Sequence, residues 1–155
     1  MPGLQIDRAK TAEANMLALI LTASTYAFAG TEFTVGPASS QTPTDGAEQT
    51  NSQVTLTAVD GSGFTGTKTL RYARLVLGQT RPGAKVAYVI SGSDTNATLK
   101  TAIAVEHNLV ETDFDITGTL PAQGDPDATF AVTAAAASKL YVTGSTFNVT
   151  VSFPA

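Results

Sequence analysis

The chain has 155 residues, a length that suits a single domain over residues 1–155 with a core that needs no disulfide or metal. Its net charge of -4 and its nine scattered Lys and Arg residues argue against a nucleic-acid partner, and the absence of Cys excludes disulfides, thiol catalysis and thiolate metal sites. Only 14% of the residues are charged, against about 25% in a typical domain. A Thr-rich surface of such low charge suits packing against neighbouring subunits.

The first predicted element is a helix over residues 7–24, in which Ala12, Met16 and Ile20 follow a helical spacing and Asp7 is the expected N-cap. The second half, MLALIL, is apolar nearly all round and should be buried on more than one side. Residues 15–29 also resemble the apolar region of a signal peptide, but no net positive charge precedes them. The apolar run is also too short to span a bilayer. We therefore expect a core helix of the mature protein; a membrane anchor or a partner helix is the alternative.

A short strand is expected just before Val35, and a long polar segment follows it over residues 36–53. This segment contains two Pro, many turn-forming residues and no large apolar side chain, which is typical of a loop. It is either a mobile surface loop or an arm that orders against a neighbouring subunit. The candidate contact residues of the arm are Pro37, Thr42, Pro43, Thr44 and Asp45.

Residues 54–77 predict an antiparallel hairpin around which the rest of the chain is arranged. Val54, Leu56 and Ala58 alternate with Thr, which is the period of a strand with one buried face. The tip has the glycines that tight turns need and is a second candidate contact surface. Its residues are Gly61, Ser62, Gly63 and Phe64. The apolar parity then slips, which predicts a β-bulge near Ala73 or Arg74.

The second half of the chain mixes strands with one more helix. A strand is expected over residues 84–90, a helix over residues 95–109 with Ser93 or Asp94 as its cap, and strands over residues 128–133 and 147–153. Residues 109–120 are irregular, and residues 134–138 are either a helical turn or a connection. The fold class expected from this order is α+β, with an antiparallel sheet or partial sandwich and two helices packed on one face.

Catalytic and metal-binding patterns are weak throughout. His107 is the only histidine, which rules out a Ser or Cys triad and a two-His zinc site within one chain, and we expect it to be half-exposed. The carboxylate pairs Asp113 with Asp115 and Asp125 with Asp127 lack the graded spacing of an EF-hand, so calcium is the lesser interpretation of either pair. The segment GSGFTG leads into a strand, whereas a phosphate loop leads into a helix. We therefore expect no enzyme activity, no cofactor and no metal.

The sequence of the hairpin resembles a phrase found in small virion structural proteins of tailed bacteriophages, especially large myoviruses. The phrase has three parts, a polar N-x-x-V-T-L-T-A start, a G-S-G-[FY]-T-G turn and a Y-x-R-L-x-L end. They are supplied here by residues 51–58, 61–66 and 72–77. The order of the other elements is also similar, with a second helix after Ser93 to Thr95 and a closing strand after Leu140 to Gly144. The segment from Arg74 to Val76 departs from the more polar end of the phrase.

This resemblance implies a particle component of a tail, baseplate, collar or capsid decoration, and it carries no catalytic residues. The expected partners are copies of the chain and other virion proteins, with no nucleic acid and no membrane, and the expected location is the virion, assembled in the host cytoplasm. The alternative is an adhesion module that binds host-surface carbohydrate. That alternative needs exposed aromatic residues in a groove, and the chain has no Trp and four Tyr.

Overall fold

A computed structural model describes residues 5–23, 29–42, 50–79, 81 and 83–155. The helices among them are α1 (Ala12–Ala23) and α2 (Asn96–His107), followed by a 3-10 turn at Glu111–Asp113. The strands are β1 (Phe33–Val35), β2 (Ser39–Ser40), β3 (Ser52–Ala58), β4 (Thr67–Tyr72), β5 (Ala87–Val89), β6 (Phe114–Thr117), β7 (Ala128–Ala134) and β8 (Thr146–Ser152). The mixture of helices with largely antiparallel strands confirms the predicted α+β class.

The predicted hairpin forms the middle of the first sheet. Strand β3 pairs antiparallel with β4 on one side, and with β1 and then β2 on the other side. Val54 is buried, Leu56 and Ala58 are half-buried, and the intervening Thr55 and Thr57 are exposed. The sequence alternation therefore gave the correct inward face of β3, since successive strand residues point to opposite sides of a sheet.

Strand pairing begins inside the segment that was predicted as a loop. The Gly36 N–H donates to the Thr55 carbonyl at 2.9 Å, and Ser39 then stands opposite Gln53. The edge therefore advances three residues, from Gly36 to Ser39, while β3 advances two, from Thr55 to Gln53. One extra residue thus forms a bulge between β1 and β2. Pro37 lies at this irregularity, where its missing N–H costs no ladder hydrogen bond.

The end of the hairpin differs from the prediction. Strand β4 stops at Tyr72, and Leu75 forms an isolated parallel bridge with Tyr141 in the second half of the chain. The predicted bulge near Ala73 or Arg74 was therefore wrong, because the chain leaves the first sheet at this point. The slip in apolar parity marks a crossing between two parts of the fold.

The second sheet has the strand order β5-β8-β7-β6. Strands β6, β7 and β8 are antiparallel neighbours, but β5 pairs parallel with β8. An entirely antiparallel sheet was expected, and the parallel pairing of β5 with β8 corrects that expectation. A parallel pair needs a long crossover connection, and α2 with β6 and β7 supplies it here.

Helix α1 begins at Ala12, later than the predicted Asp7. The hydroxyl of Thr11 accepts the N–H of Ala14 at 3.2 Å, which makes Thr11 the cap. Asp7 instead accepts the N–H of Ala9 in the preceding turn. The helix is buried on more than one side as expected, since Met16, Leu19 and Ile20 are buried. Leu17 and Leu21 are half-buried, and Ala18 is exposed.

The N-cap of helix α2 also lies later than predicted, one residue after Asp94 and two residues after Ser93. Thr95 is the N-cap, and its hydroxyl accepts the N–H of Thr98 at 3.2 Å. The Thr98 hydroxyl accepts the Thr95 N–H at 2.9 Å in return, so the two residues form a reciprocal capping box. Asp94 lies one position outside and accepts the Thr98 hydroxyl.

The two helices lie against different sheets. Helix α1 contacts β1, and α2 contacts β6 and the 3-10 turn. The buried apolar side chains of both sheets and both helices nevertheless belong to one continuous core. Its largest fully buried members are Tyr72, Tyr141, Phe114, Phe130 and Met16.

Candidate assembly surfaces and the buried polar cluster

The predicted hairpin tip is an exposed loop between β3 and β4. Gly61 and Gly63 have φ of 78° and 84°, so the turn uses the conformational freedom that the sequence indicated. Phe64 is 48% exposed and Val59 is 37% exposed. The tip therefore presents two apolar side chains to solvent among residues that are otherwise mostly small or polar.

Backbone hydrogen bonds hold this tip in place. The Val59 N–H donates to the Glu32 carbonyl at 2.8 Å, and the Ala58 N–H donates to the Gly66 carbonyl at 3.0 Å. The Ser62 N–H then closes the turn on the Val59 carbonyl at 3.1 Å. These bonds tie the loop to its own strands and to the residue before β1, so the exposed side chains stand on a fixed backbone.

The second predicted surface, the arm, is described only at its base. Pro37 and Thr42 are exposed, whereas Pro43, Thr44 and Asp45 lie outside the described residues. The prediction that these five residues contact a neighbouring subunit stays a prediction.

Gln41 joins the two ends of this arm. Its N–H donates to the Asn51 carbonyl at 2.9 Å, and its side-chain Nε2 lies 3.3 Å from Oγ1 of Thr50. The two points where the chain leaves and rejoins the sheet are therefore neighbours. The base of the arm is fixed by these contacts.

The structure places the arm and the tip at opposite ends of β3. The arm precedes Ser52 and the tip follows Ala58, which separates them by roughly 20 Å at a rise of about 3.3 Å per residue. The two sequence-predicted surfaces therefore do not form one site. They are two separate surfaces on one rigid hairpin.

The arm end of β3 lies beside a buried polar cluster that sequence reasoning missed. Arg74 is only 4% exposed. Its Nε donates to Oγ of Ser52 at 2.5 Å, and its Nη2 donates to Oγ of Ser40 at 3.2 Å. Its Nη1 donates to the Ser138 carbonyl at 3.2 Å and to Oγ1 of Thr143 at 3.1 Å. One guanidinium thus connects β2 and β3 to the segment that precedes β8.

A second buried charged residue is linked to this cation through Ser138. Asp113 is 7% exposed, and its Oδ2 accepts the hydroxyl of Ser138 at 2.6 Å. Ser138 therefore contacts both charges, with its carbonyl on Arg74 and its hydroxyl on Asp113. A buried charge without partners is very unfavourable, and the hydrogen bonds that each of these two groups makes offset that cost.

Asn51 holds the backbone of Arg74 where strand β4 has ended. Its Oδ1 accepts the Arg74 N–H at 2.8 Å, and its Nδ2 donates to the Arg74 carbonyl at 3.1 Å. The side-chain amide replaces the neighbouring strand as the partner of this backbone. The only sequence signal for the cluster was the break in parity at residues 73 and 74, together with an Arg in the middle of an apolar run.

Two buried tyrosines extend the same connection. The Tyr72 hydroxyl donates to the Lys139 carbonyl at 2.6 Å, and the Tyr141 hydroxyl accepts the Val110 N–H at 3.0 Å. Burial raises the pKa of each phenol to about 12. Both therefore remain protonated at neutral pH and serve as hydrogen-bonding groups of the interior, not as bases.

The prediction that His107 is half-exposed was wrong, since the residue is 2% exposed. Its Nε2 donates to the Lys85 carbonyl at 3.0 Å, and its ring centroid lies 4.5 Å from that of Phe147. The segment before β5 covers this end of α2, because Glu106 accepts the Lys85 N–H at 3.1 Å and its carbonyl accepts from Arg81 at 2.8 Å. Burial lowers the pKa of His107.

Neither carboxylate pair gathers ligands for a metal. Asp113 is buried on Ser138, whereas Asp115 is exposed and its Oδ1 lies 3.5 Å from Nζ of Lys100. Asp125 accepts the Ala122 N–H at 3.0 Å, as a turn residue does. Among the residues that the structure describes, no group of three or more His, Cys, Asp or Glu side chains is placed to hold a metal ion.

A shallow, open groove of about 220 Å³ lies between the turn before α1 and the residues that follow α2. Arg8, Lys10 and Thr11 line one wall, and Glu111 and Thr112 line the other. Lys10 pairs with Asp7 at 3.3 Å. The groove therefore mixes charges of both signs.

Comparison with known proteins identifies the family of the chain. No curated protein matches the chain, and no solved structure matches it. Within the described ranges, neither helix has the length and apolar character needed to cross a membrane. One family model matches residues 7–155, which is nearly the whole chain. The chain therefore belongs to DUF7941, a family of unknown function.

Proposed function

We propose that this protein is a non-enzymatic structural subunit of a tailed-phage virion that acts by packing against its neighbours. The observation that carries the proposal is the hairpin, which has an apolar tip at one end of β3 and an anchored arm base at the other end. A subunit in an assembly must hold two or more contact surfaces at a fixed spacing. A hairpin fixed by a buried Arg at one end and by backbone bonds at the other meets that requirement.

The arrangement of polar groups supports a structural role in preference to a catalytic one. Arg74, Asp113 and Ser138 are buried and bonded to one another or to backbone groups, so they are not presented to a substrate. Tyr72 and Tyr141 are buried and protonated. These groups join the two sheets, and their hydrogen-bonding capacity is taken up by contacts within the protein.

The virion assignment itself depends on the sequence resemblance of the hairpin. On this proposal the partners are copies of the chain and other virion proteins, and the chain is assembled into particles in the host cytoplasm. The substructure is a tail, baseplate, collar or capsid decoration. The low surface charge is consistent with contacts that bury on the order of 1,000 Å² or more of accessible surface at each interface.

The test is quantitative mass spectrometry of purified particles from the phage that encodes the chain. A large copy number that matches a symmetric substructure is the expected result. A few copies at the tip of a fibre would favour the carbohydrate-binding adhesion module instead. Absence of the chain from purified particles would refute the virion proposal.

A matched pair of variants tests the hairpin tip. Phe64→Ser changes an exposed apolar residue of the tip, and Val76→Ser changes one of similar exposure, at 41%, outside the tip. Both substitutions should leave the fold unchanged because each side chain is exposed at the surface and lies outside the buried core. The copy number in particles should fall several-fold for Phe64→Ser and stay at the wild-type level for Val76→Ser. Equal incorporation of the two variants would exclude the tip as a contact surface.

A further inference from the structure

Strand β5 is an edge of the second sheet with an open row of backbone groups. Its parallel register with β8 directs the Val86 carbonyl, both backbone groups of Tyr88 and the Ile90 N–H towards β8. The backbone groups of Ala87 and Val89 consequently face the opposite way. Within the described part of the chain, no hydrogen bond reaches the N–H or the carbonyl of these two residues.

The row of unpaired backbone groups is bounded at both ends by residues whose N–H groups are hydrogen-bonded. The next residues of the same parity are Lys85 and Ser91, whose N–H groups are already bonded within the chain. The Lys85 N–H donates to Glu106 at 3.1 Å, and the Ser91 N–H donates to Oδ2 of Asp94 at 2.8 Å. Two residues are therefore open and one is capped on each side, in a pattern that is symmetric about Tyr88.

The side chains of this edge are not of the protective kind. Val89 is 72% exposed and Val86 is 52% exposed, and Ala87 is exposed between them. Soluble proteins usually guard an edge strand with charges or Pro, because an open apolar edge pairs with other strands. The outer edge of β4 carries that protection, since Lys68 and Arg71 are exposed along it.

We propose that β5 pairs antiparallel with β5 of a second copy of the chain, about a two-fold axis that passes beside Tyr88. In this register Ala87 stands opposite Val89 of the partner subunit, and Val89 stands opposite the partner's Ala87. Each of the two pairs exchanges both of its hydrogen bonds, so all four open backbone groups of each copy are used. The symmetry of the open and capped positions favours a second copy over an unrelated strand, because a two-fold interface requires a self-complementary surface.

The predicted contact is small. The pairing adds cross-strand contacts between Ala87 and Val89 to four hydrogen bonds, whereas stable specific interfaces bury about 1,200–2,000 Å² in total. The dimer should therefore form and dissociate with protein concentration in free solution. Repeated contacts in an assembly strengthen such a weak interface.

The first experiment is sedimentation velocity of the full chain over a concentration series, with three variants. Val89→Pro removes an outward N–H without removing a bond to β8, and should reduce dimer formation at least ten-fold. Val89→Thr keeps the N–H and the branched side chain and should dimerise like the wild type. Thr69→Pro makes the corresponding change on the outer edge of β4, and it should also dimerise like the wild type. A wild-type chain that stays monomeric at millimolar concentration would overturn the proposal, as would equal dimerisation of the two Pro variants.

A second experiment tests the register and does not depend on Pro being tolerated. The chain has no cysteine, so single cysteines can be placed at will. A mixture of Ala87→Cys and Val89→Cys chains should form a mixed disulfide under mild oxidation, because directly opposite residues lie about 5.5 Å apart at Cα. Val89→Cys alone should crosslink at least several-fold more slowly, because its copies are offset by two residues. Equal rates for the mixture and for Val89→Cys alone would contradict this register.

This inference deepens the proposed function, since an assembly is the setting in which self-pairing is useful. The two can nevertheless fail separately. A monomeric chain that is abundant in particles would refute the pairing of β5 and leave the virion proposal intact. A dimer with the predicted crosslinks that is absent from particles would do the reverse.

Discussion

Arg74 and Ser52 are 22 residues apart in the sequence, and Nε of the first lies 2.5 Å from Oγ of the second inside the protein. This contact joins the point where the chain leaves the first sheet to the point where β3 begins. The same guanidinium reaches Ser138, another 64 residues along. The side chain of Arg74 therefore attaches the base of the predicted arm to the second half of the fold.

Removal of that side chain should be strongly destabilising. Arg74→Ala leaves the buried oxygens of Ser52 and Ser138 without their donor, at a cost of about 1–3 kcal/mol for each group, so the free energy of unfolding should fall by about 2–6 kcal/mol. Urea denaturation measures the loss. Lys68→Ala, at an exposed position of β4, is the matched control and should change stability by less than about 0.5 kcal/mol. A loss below about 1 kcal/mol for Arg74→Ala would show that the cluster does not hold the sheets together.

Because Gly118 has no side chain, the ring of Phe130 packs directly against its backbone. A Cβ at Gly118 would lie 2.6 Å from the ring of Phe130, which is fully buried and has no room to move. Gly118→Ala should therefore cost about 1–3 kcal/mol through overpacking. The control is Gly92→Ala, whose Cβ would lie 3.8 Å from the edge of Phe153, an ordinary contact distance. Thermal unfolding of the two variants should separate them clearly, and equal melting temperatures would contradict the expected clash.

Acidification should destabilise the fold through His107. Burial lowers the pKa of His107 below its ordinary value of 6.5, so between that value and the folded pKa the unfolded chain binds more protons than the folded chain. The contribution of His107 to the free energy of unfolding is therefore fully present above about pH 6.5. It is lost as the pH decreases below that value, with a slope of at most about 1.4 kcal/mol per pH unit. Urea midpoints at pH 7.5 and pH 5.5 measure the effect.

The matched variant for this pH effect is His107→Gln, which keeps a donor and does not titrate. It should show a smaller change between the two pH values than the wild type. Asp94 and Glu32 also have lowered pKa values, but their ordinary pKa values of 3.8 and 4.5 place their contribution at lower pH. An identical pH dependence in wild type and His107→Gln would exclude the histidine as the cause.

The start of α2 provides a test of local structure. Thr95→Ala removes the oxygen that accepts the Thr98 N–H and should cost about 1 kcal/mol. Thr101→Ala changes an exposed residue inside the same helix, and it should be neutral or stabilising by a few tenths of a kcal/mol, because Ala has the higher helix propensity. Chemical denaturation of both variants checks the pair. Equal effects of the two substitutions would mean that the capping box does not stabilise the helix.

Apart from the caps of the two helices, the main errors of sequence interpretation occurred where contacts join distant parts of the chain. The periodicities of β3 and β8 gave their buried faces correctly, since each strand pattern depends only on which side faces the core. The parity slip after Tyr72 predicts a bulge, whereas the chain crosses to Tyr141 there. The burial of His107 was missed because the segment that covers it is distant in sequence.

By itself the sequence determined both helices, the longer strands, the α+β class and the glycine turn at the hairpin tip, because these follow from local periodicity and local backbone freedom. Strands β2 and β6 were not predicted, since they lie in segments without a clear alternation. Only the tertiary structure decided that Arg74 is buried on Ser52 and Ser138, that β5 runs parallel to β8, and that Ala87 and Val89 form an open edge. Each of these depends on hydrogen bonds or pairings between residues far apart in the chain. Such pairings leave no periodic trace in the amino-acid sequence, since either partner alone is compatible with many local structures.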